Sequence, residues 1–183
     1  MSTKYKIRDP EGVYFVTFTV IRWLDVFTRQ EYRDIFMESL RYCQKNKGLA
    51  LYAYCMMSSH VHLIISQHGE RELQGTIRDI KKHTSLAIIN AIKNNQRESR
   101  KDLLLWCFEK AGTNNINNER YQFWQQHSHP IELNTNEKLF QRLNYVHQNP
   151  VEAGIVLSAE DYFYSSAMNY AGRPEKLIDV ILI

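Results

Sequence analysis

Leu49-Ala50-Leu51-Tyr52-Ala53-Tyr54-Cys55-Met56-Met57-Ser58-Ser59-His60-Val61-His62-Leu63-Ile64-Ile65-Ser66-Gln67 decides the fold. Its first nine residues have strand character, Ser58-Ser59 supplies a short turn, and His60 to Gln67 resumes with β-branched residues. The stretch predicts two strands paired as an antiparallel hairpin. Residues two apart on a strand share a face, so Val61, Leu63 and Ile65 bury one side while His60 and His62 project together from the other. Two adjacent imidazoles are a metal-binding geometry. One His-x-His pair is weak support in a chain with seven histidines, and a second pair, His127 and His129, follows Trp124. For the first pair taken alone, two partly buried histidines satisfied by the backbone is an equal reading.

Working outward, Val13 to Ile21 is β-branched and aromatic, carries Thr17 and Thr19 on one face, and reads as a strand. Tyr32, Ile35, Phe36, Leu40 and Cys43 then recur at helical spacing, and Gly48 ends that helix. After Gly69, apolar residues from Leu73 to Ala91 keep the same period, while Arg71, Arg78, Lys81, Lys82 and His83 form a basic face. From Asn94 to Glu119 the chain turns polar, with Asn114, Asn115, Asn117 and Asn118. This predicts a mobile insertion around 94–119, with room for a short helix from Leu103 to Phe108. Tyr121 to Gln126 reads as a fourth strand, and Asn136 to Gln148 as a helix ended by Pro150. From about residue 157 a C-terminal extension follows, whose apolar tail Leu177 to Ile183 fits an added strand or an interface equally well. The order β-α-β-β-α-loop-β-α predicts an α+β, ferredoxin-like split βαβ domain spanning 1–183. Its sheet has four antiparallel strands, with helices mainly on one face.

Composition narrows the function classes. The chain is 44% hydrophobic and 23% charged, as a folded domain should be, with a net charge of +3 and a pI of about 8.7. That balance is compatible with a polyanionic partner without demanding one. Cys43, Cys55 and Cys107 fall singly in apolar surroundings, which suits buried thiols in a reducing compartment. Met1 to Pro10 lacks an apolar signal core, and no run approaches the roughly 20 apolar residues of a membrane span. The expectation is a cytoplasmic protein with no membrane association.

Tyr145 and Asn149 lie four apart and share a helix face, whereas His147 points roughly opposite. With that helix beside the hairpin, the Tyr145 hydroxyl and the Asn149 amide reach a metal held by His60 and His62. Two nitrogens and an amide oxygen leave positions open for substrate. A tyrosine hydroxyl, with its pKa near 10, is a weak nucleophile and needs a polarised target. A phosphodiester on a divalent metal is such a target. No nucleotide cofactor is required, and Walker and dinucleotide glycine loops are absent. Against this stands an ordinary amphipathic tyrosine, one of eleven in the chain.

Ser58-Ser59-His60-Val61-His62-Leu63-Ile64-Ile65 resembles the His-hydrophobic-His motif of the single-tyrosine HUH transposases. Tyr145-Val146-His147-Gln148-Asn149-Pro150-Val151-Glu152-Ala153-Gly154-Ile155-Val156 is similar to the tyrosine segment of their REP-associated branch. Further likeness lies in Arg78-Asp79-Ile80-Lys81-Lys82-His83-Thr84-Ser85, in Phe123-Trp124-Gln125, in Tyr164-Ser165-Ser166-Ala167 and in Tyr170-Ala171-Gly172, so the resemblance runs from Val13 to Gly172. It implies a metal-dependent endonuclease and strand transferase. The substrate would be single-stranded DNA folded into hairpins, cut through a 5′-phosphotyrosine intermediate. Position by position it implies His60 and His62 as ligands of a divalent ion, magnesium or manganese, with Tyr145 as nucleophile and Asn149 as third ligand. Parent transposases often carry glutamine at that last position, and Pro150 disfavours helix geometry at Asn149. Arg78, Lys81, Lys82, His127 and His129 are expected at the DNA, and a homodimer or a monomer are both open. Two rival classes remain: a host-retained protein that binds hairpin DNA without mobilising it, and an RNA-binding sheet with Tyr52 and Tyr54 as stacking residues.

Overall fold

The computed structural model describes residues 7–113, 120–126 and 128–183. Strand β1 (Tyr14–Thr19) leads through two short turns to helix α1 (Gln30–Lys47). The hairpin β2 (Leu49–Met56) and β3 (His60–Gln67) follows, then α2 (Leu73–Asn94), α3 (Lys101–Thr113), β4 (Ile131–Glu132), α4 (Asn136–Glu152) and the short α5 (Ala167–Tyr170). The antiparallel sheet has the order β2-β3-β1-β4. This is the expected α+β split βαβ arrangement.

The alternation of the strands sorts two cores. Val16, Phe18, Met56, Val61, Leu63 and Ile65 meet α1, α2 and α3 on one face. Phe15, Ala53, Cys55 and Ile64 meet Leu143 and Val146 of α4 on the other. Helices therefore lie mainly on one face, and the helix that carries Tyr145 lies on the other, with the short α5 packed beside it. α1 stops where Gly48 takes up φ 71° and donates its N–H to the Cys43 carbonyl, a conformation that costs glycine least. The three cysteines are buried and free.

Two sequence expectations are corrected, the fourth strand and the end of α4. The expected fourth strand at Tyr121 to Gln126 makes a single bridge, between Trp124 and Val20, and β4 forms instead at Ile131–Glu132 against Tyr14 and Phe15. The cause is two consecutive buried aromatics: Phe123 packs on Phe108, and Trp124 donates Nε1–H to Thr84 Oγ1 at 3.0 Å, so the segment cannot alternate. Within the stretch expected as a mobile insertion, α3 runs for 13 residues and buries Leu104, Cys107 and Phe108 in the main core; Asn114, Asn115, Asn117 and Asn118 lie outside the described residues. Pro150 sits inside α4 rather than ending it. It is buried beside Val146, and the helix carries on, with Ala153 N–H donating to the Asn149 carbonyl at 3.0 Å. Packing offsets the one bond that proline cannot make.

The C-terminal extension covers the free edge of β2. Met56 N–H donates to Tyr164 O, Ser166 N–H to Tyr54 O and Ile181 N–H to Leu51 O, each at 2.9 Å. Pairing of this kind removes an aggregation-prone edge. The tail thus lies along the strand edge with Ile178 buried, while Ile181, Leu182 and Ile183 stay exposed.

Between α2 and α3, Glu98 is buried and receives Arg29 Nε at 3.2 Å, Arg100 Nε at 3.3 Å and the Tyr32 hydroxyl at 3.3 Å. Burial pushes its pKa up. Hydrogen bonds from Arg100 and the charges of Arg100 and Arg29 outweigh this and hold it below the usual glutamate value. The carboxylate therefore contributes stability above the unfolded pKa of about 4.3 and loses it as pH falls through the lower folded value. Glu98→Gln should lower unfolding free energy by about 1–3 kcal/mol at neutral pH, with urea curves of the two proteins converging in acid. A gap unchanged with pH would contradict this.

Candidate functional site

The site is built by strand register. β1 opposite β3 pairs Thr17 with His62 and Thr19 with His60. Thr17 Oγ1 lies 2.9 Å from His62 Nδ1, and Ser59 Oγ lies 3.2 Å from His60 Nδ1. The two imidazoles stand edge to face with centroids 4.7 Å apart. A hydroxyl on each Nδ1 fixes ring orientation and turns the other nitrogen to the open side, where the Asn149 amide lies 3.4 Å from His62 Nε2. Burial, then the charges of His60 and Arg142, lower the His62 pKa to about 3, and burial lowers that of His60. Both rings are neutral at neutral pH, the state in which imidazole nitrogen has a lone pair to offer.

α4 closes the site from above. Thr135 caps it by accepting from Lys138 N–H at 3.3 Å, and its buried stripe of Leu143, Val146 and Pro150 seats it on the sheet. This turns Arg142, Tyr145 and Asn149 toward the histidines. The Tyr145 ring lies 5.2 Å from His62 and edge-on to Phe15 at 5.9 Å. The Arg142 guanidinium sits 5.1 Å from the Phe15 ring centre and 5.7 Å from that of Tyr145. Among the described residues Arg142 forms no ion pair with a carboxylate. An uncompensated cation beside a phenol and two neutral imidazoles is suited to an anionic substrate.

Residues that fit a metal are thus present: two oriented imidazoles and an amide that offers its oxygen when turned over. Among the described residues there is no cluster of three histidine, cysteine or acidic side chains, so an ion here depends on Asn149 or substrate to complete its shell.

The other expected residues are dispersed. Arg78 and Lys82 are exposed on α2, across the sheet from the histidines. Lys81 does not reach solvent freely: its Nζ donates to the Gln125 carbonyl at 2.8 Å and lies 5.3 Å from the Phe18 ring centre. His129 is exposed with φ 40°, next to Ser128, whose carbonyl accepts from Thr17 N–H at 3.5 Å. His127 lies outside the described residues. His147 bonds Ser166 Oγ at 2.9 Å and packs edge-on to Tyr170, which makes it a structural contact to α5. Tyr54 is buried, and Tyr52 bonds Ser66 under the second core. With Tyr54 buried and Tyr52 packed against the second core, the pair does not form the open stacking surface that an RNA-binding sheet uses.

Two residues at the site escape a reading of the motifs. Arg142 was discoverable, since it precedes Tyr145 by three and so shares its face. Trp23 was not. It stands edge-on to His60 at 5.2 Å in a turn where Arg22 and Trp23 have φ 55° and 57°, a left-handed pair that costs about 1–2 kcal/mol per residue. Long-range bonds hold the turn: Val20 N–H to Ser59 O, Phe27 N–H to Ser58 O, and Ser58 Oγ–H to Asp25 Oδ1 at 2.6 Å.

Comparison with known proteins places the fold in a family. The family model for IS200-like transposases matches residues 13–109, more than half of the chain and including both histidines, and the chain belongs to that family. The match ends before α4. The fold is shared with a solved structure described as a REP-associated tyrosine transposase bound to a REP hairpin. That likeness has a TM-score of 0.64 at 17% identity and covers 96% of this chain and 88% of the other. No curated protein matches.

Burial lowers the Lys81 pKa to about 8, below an unfolded value of about 10.4. Between those values the unfolded state holds more protons, so stability rises with pH across that window. Lys81→Met should flatten this rise in chemical denaturation and leave the salt dependence of DNA binding unchanged. A shallower salt slope in the variant would return Lys81 to the phosphate contacts.

Proposed function

We propose that this transposase-family protein is a metal-dependent endonuclease and strand transferase acting on single-stranded DNA at hairpin-flanked sites. The reaction would proceed through a 5′-phosphotyrosine intermediate on Tyr145. The observation that carries the reading is the meeting of His60 and His62, from β3, with Arg142, Tyr145 and Asn149, from α4. The solved relative's hairpin supports the choice of DNA form.

His60, His62 and Asn149 would hold the divalent ion, magnesium or manganese. Bound there, the ion supplies Lewis-acid polarisation of the scissile phosphate. The chain's own groups do the rest. Thr17 and Ser59 keep the imidazoles in register, and Phe15 holds the Tyr145 ring on its edge. Tyr145 Oη attacks phosphorus, the bond to the 3′ oxygen breaks, and that oxygen leaves as a free 3′-hydroxyl once protonated. The phenolic proton passes to solvent. Arg142, 5.7 Å from the Tyr145 ring centre, would face the phosphoryl oxygens as negative charge builds on them, and its guanidinium would stabilise the transition state. One phosphodiester is exchanged for another, and attack by a second 3′-hydroxyl on the phosphotyrosine restores the tyrosine and joins the strands.

Cleavage of a labelled single-stranded hairpin with manganese, magnesium or chelator tests this. Wild-type protein should cut with metal alone, and Tyr145→Phe should bind the hairpin nearly as well without cutting. His60→Ala should lose metal binding and cleavage together. Hairpin binding without cleavage under any metal would point instead to a non-mobilising DNA-binding protein.

Arg142→Ala should slow cleavage by about 10²–10³-fold with a much smaller change in DNA affinity, measured in single-turnover kinetics. An unchanged rate would remove Arg142 from the reaction.

A further inference from the structure

Trp23 belongs to a surface that the proposed chemistry does not use. It is 58% exposed, and Trp106 of α3 is 52% exposed. Arg22 links them: it precedes Trp23 in the chain, and its guanidinium lies 5.6 Å from the centre of the Trp106 ring. Lys110, one turn further along α3, places its Nζ 4.9 Å from the same ring. The series from the histidines outward is therefore His60, Trp23, Arg22, Trp106, Lys110. Both tryptophans spend a large aromatic surface on solvent, although the protein buries its third, Trp124.

The chemistry of this strip names its ligand. Half-exposed indoles alternating with cations match a strand whose bases are unpaired and whose backbone is anionic. A paired duplex hides its base faces, so the indoles would gain little from it. Of the acids on α3, Glu109 is paired with Arg120, and Asp102 stands a turn before Trp106. The strip begins against His60, so a strand lying on it continues from the reacting phosphate.

We propose that Trp23 and Trp106, with Arg22 and Lys110, form a stacking platform for the unpaired nucleotides that flank the cleaved phosphate. The platform holds the strand in line with Tyr145 and extends recognition beyond the hairpin. It rests on the DNA-cleaving reading above, but it makes a separate claim about where the unpaired strand lies.

The test measures affinity in full-length protein carrying Tyr145→Phe, which keeps the DNA intact. Fluorescent probes are a blunt hairpin and the same hairpin with a short single-stranded extension on its 5′ or 3′ side. Trp23→Ala and Trp106→Ala should each weaken binding of one extended hairpin by about tenfold and leave the blunt hairpin unaffected. Trp23→Phe and Trp106→Phe, which keep a stacking ring, should retain most of the affinity. Abasic nucleotides in the extension should reproduce the loss in the parent protein and add little in the alanine variants. Alanine variants that bind every probe like the parent overturn the platform, as does an equal loss on blunt and extended hairpins. Cleavage by the wild type, run alongside, separates the two claims. Cleavage with unchanged affinities sinks the platform alone, and the expected affinity pattern without cleavage sinks the nuclease reading alone.

Discussion

The pairing of β1 with β3 is the constraint on which the rest depends. Both strands are covered on both faces, so their register is strongly specified: a slip by one residue would move every side chain to the wrong core. In the register adopted, Val16, Phe18, Val61, Leu63 and Ile65 fill the core beneath α1 and α2. The alternate positions deliver Thr17 to His62 and Thr19 to His60. The hydrophobic effect that fixes the sheet thereby also aligns the imidazoles, and the site needs no separate scaffold.

The second constraint is α4. A four-stranded sheet with helices on one side would leave His60 and His62 in water, where imidazoles titrate near neutral pH and turn freely. Seating α4 on that face through Leu143, Val146 and Pro150 buries His62, keeps it neutral and brings in a phenol and a guanidinium. Burial costs the histidines their charged form, and that cost favours the state able to bind a cation. Pro150 illustrates the balance: it gives up a helix bond, yet its ring packs in the interface that holds Asn149 one turn beyond Tyr145.

Much of this was legible in the sequence because it rests on local periodicity. The hairpin, the helix ended by Gly48, the histidine face and the shared face of Tyr145 and Asn149 all follow from spacings of two or four. What was not legible depends on distant contacts. Phe123 and Trp124 look like a strand but are drawn into the core as consecutive aromatics, and the ladder moves on to Ile131 and Glu132. Lys81 looks like part of a solvated basic face until its Nζ is seen at the Gln125 carbonyl. Trp23 reaches His60 only because a left-handed turn is bound to the Ser58-Ser59 loop far along the chain, and no pattern within Val20 to Thr28 announces that.

The most direct measurement is to digest the protein after incubation with manganese and a hairpin oligonucleotide, and to locate the nucleotide by tandem mass spectrometry. A phosphodiester remnant on the peptide containing Tyr145, absent when chelator is added, is the predicted result. DNA cut without a covalent remnant, or a remnant on a different tyrosine, would contradict the account.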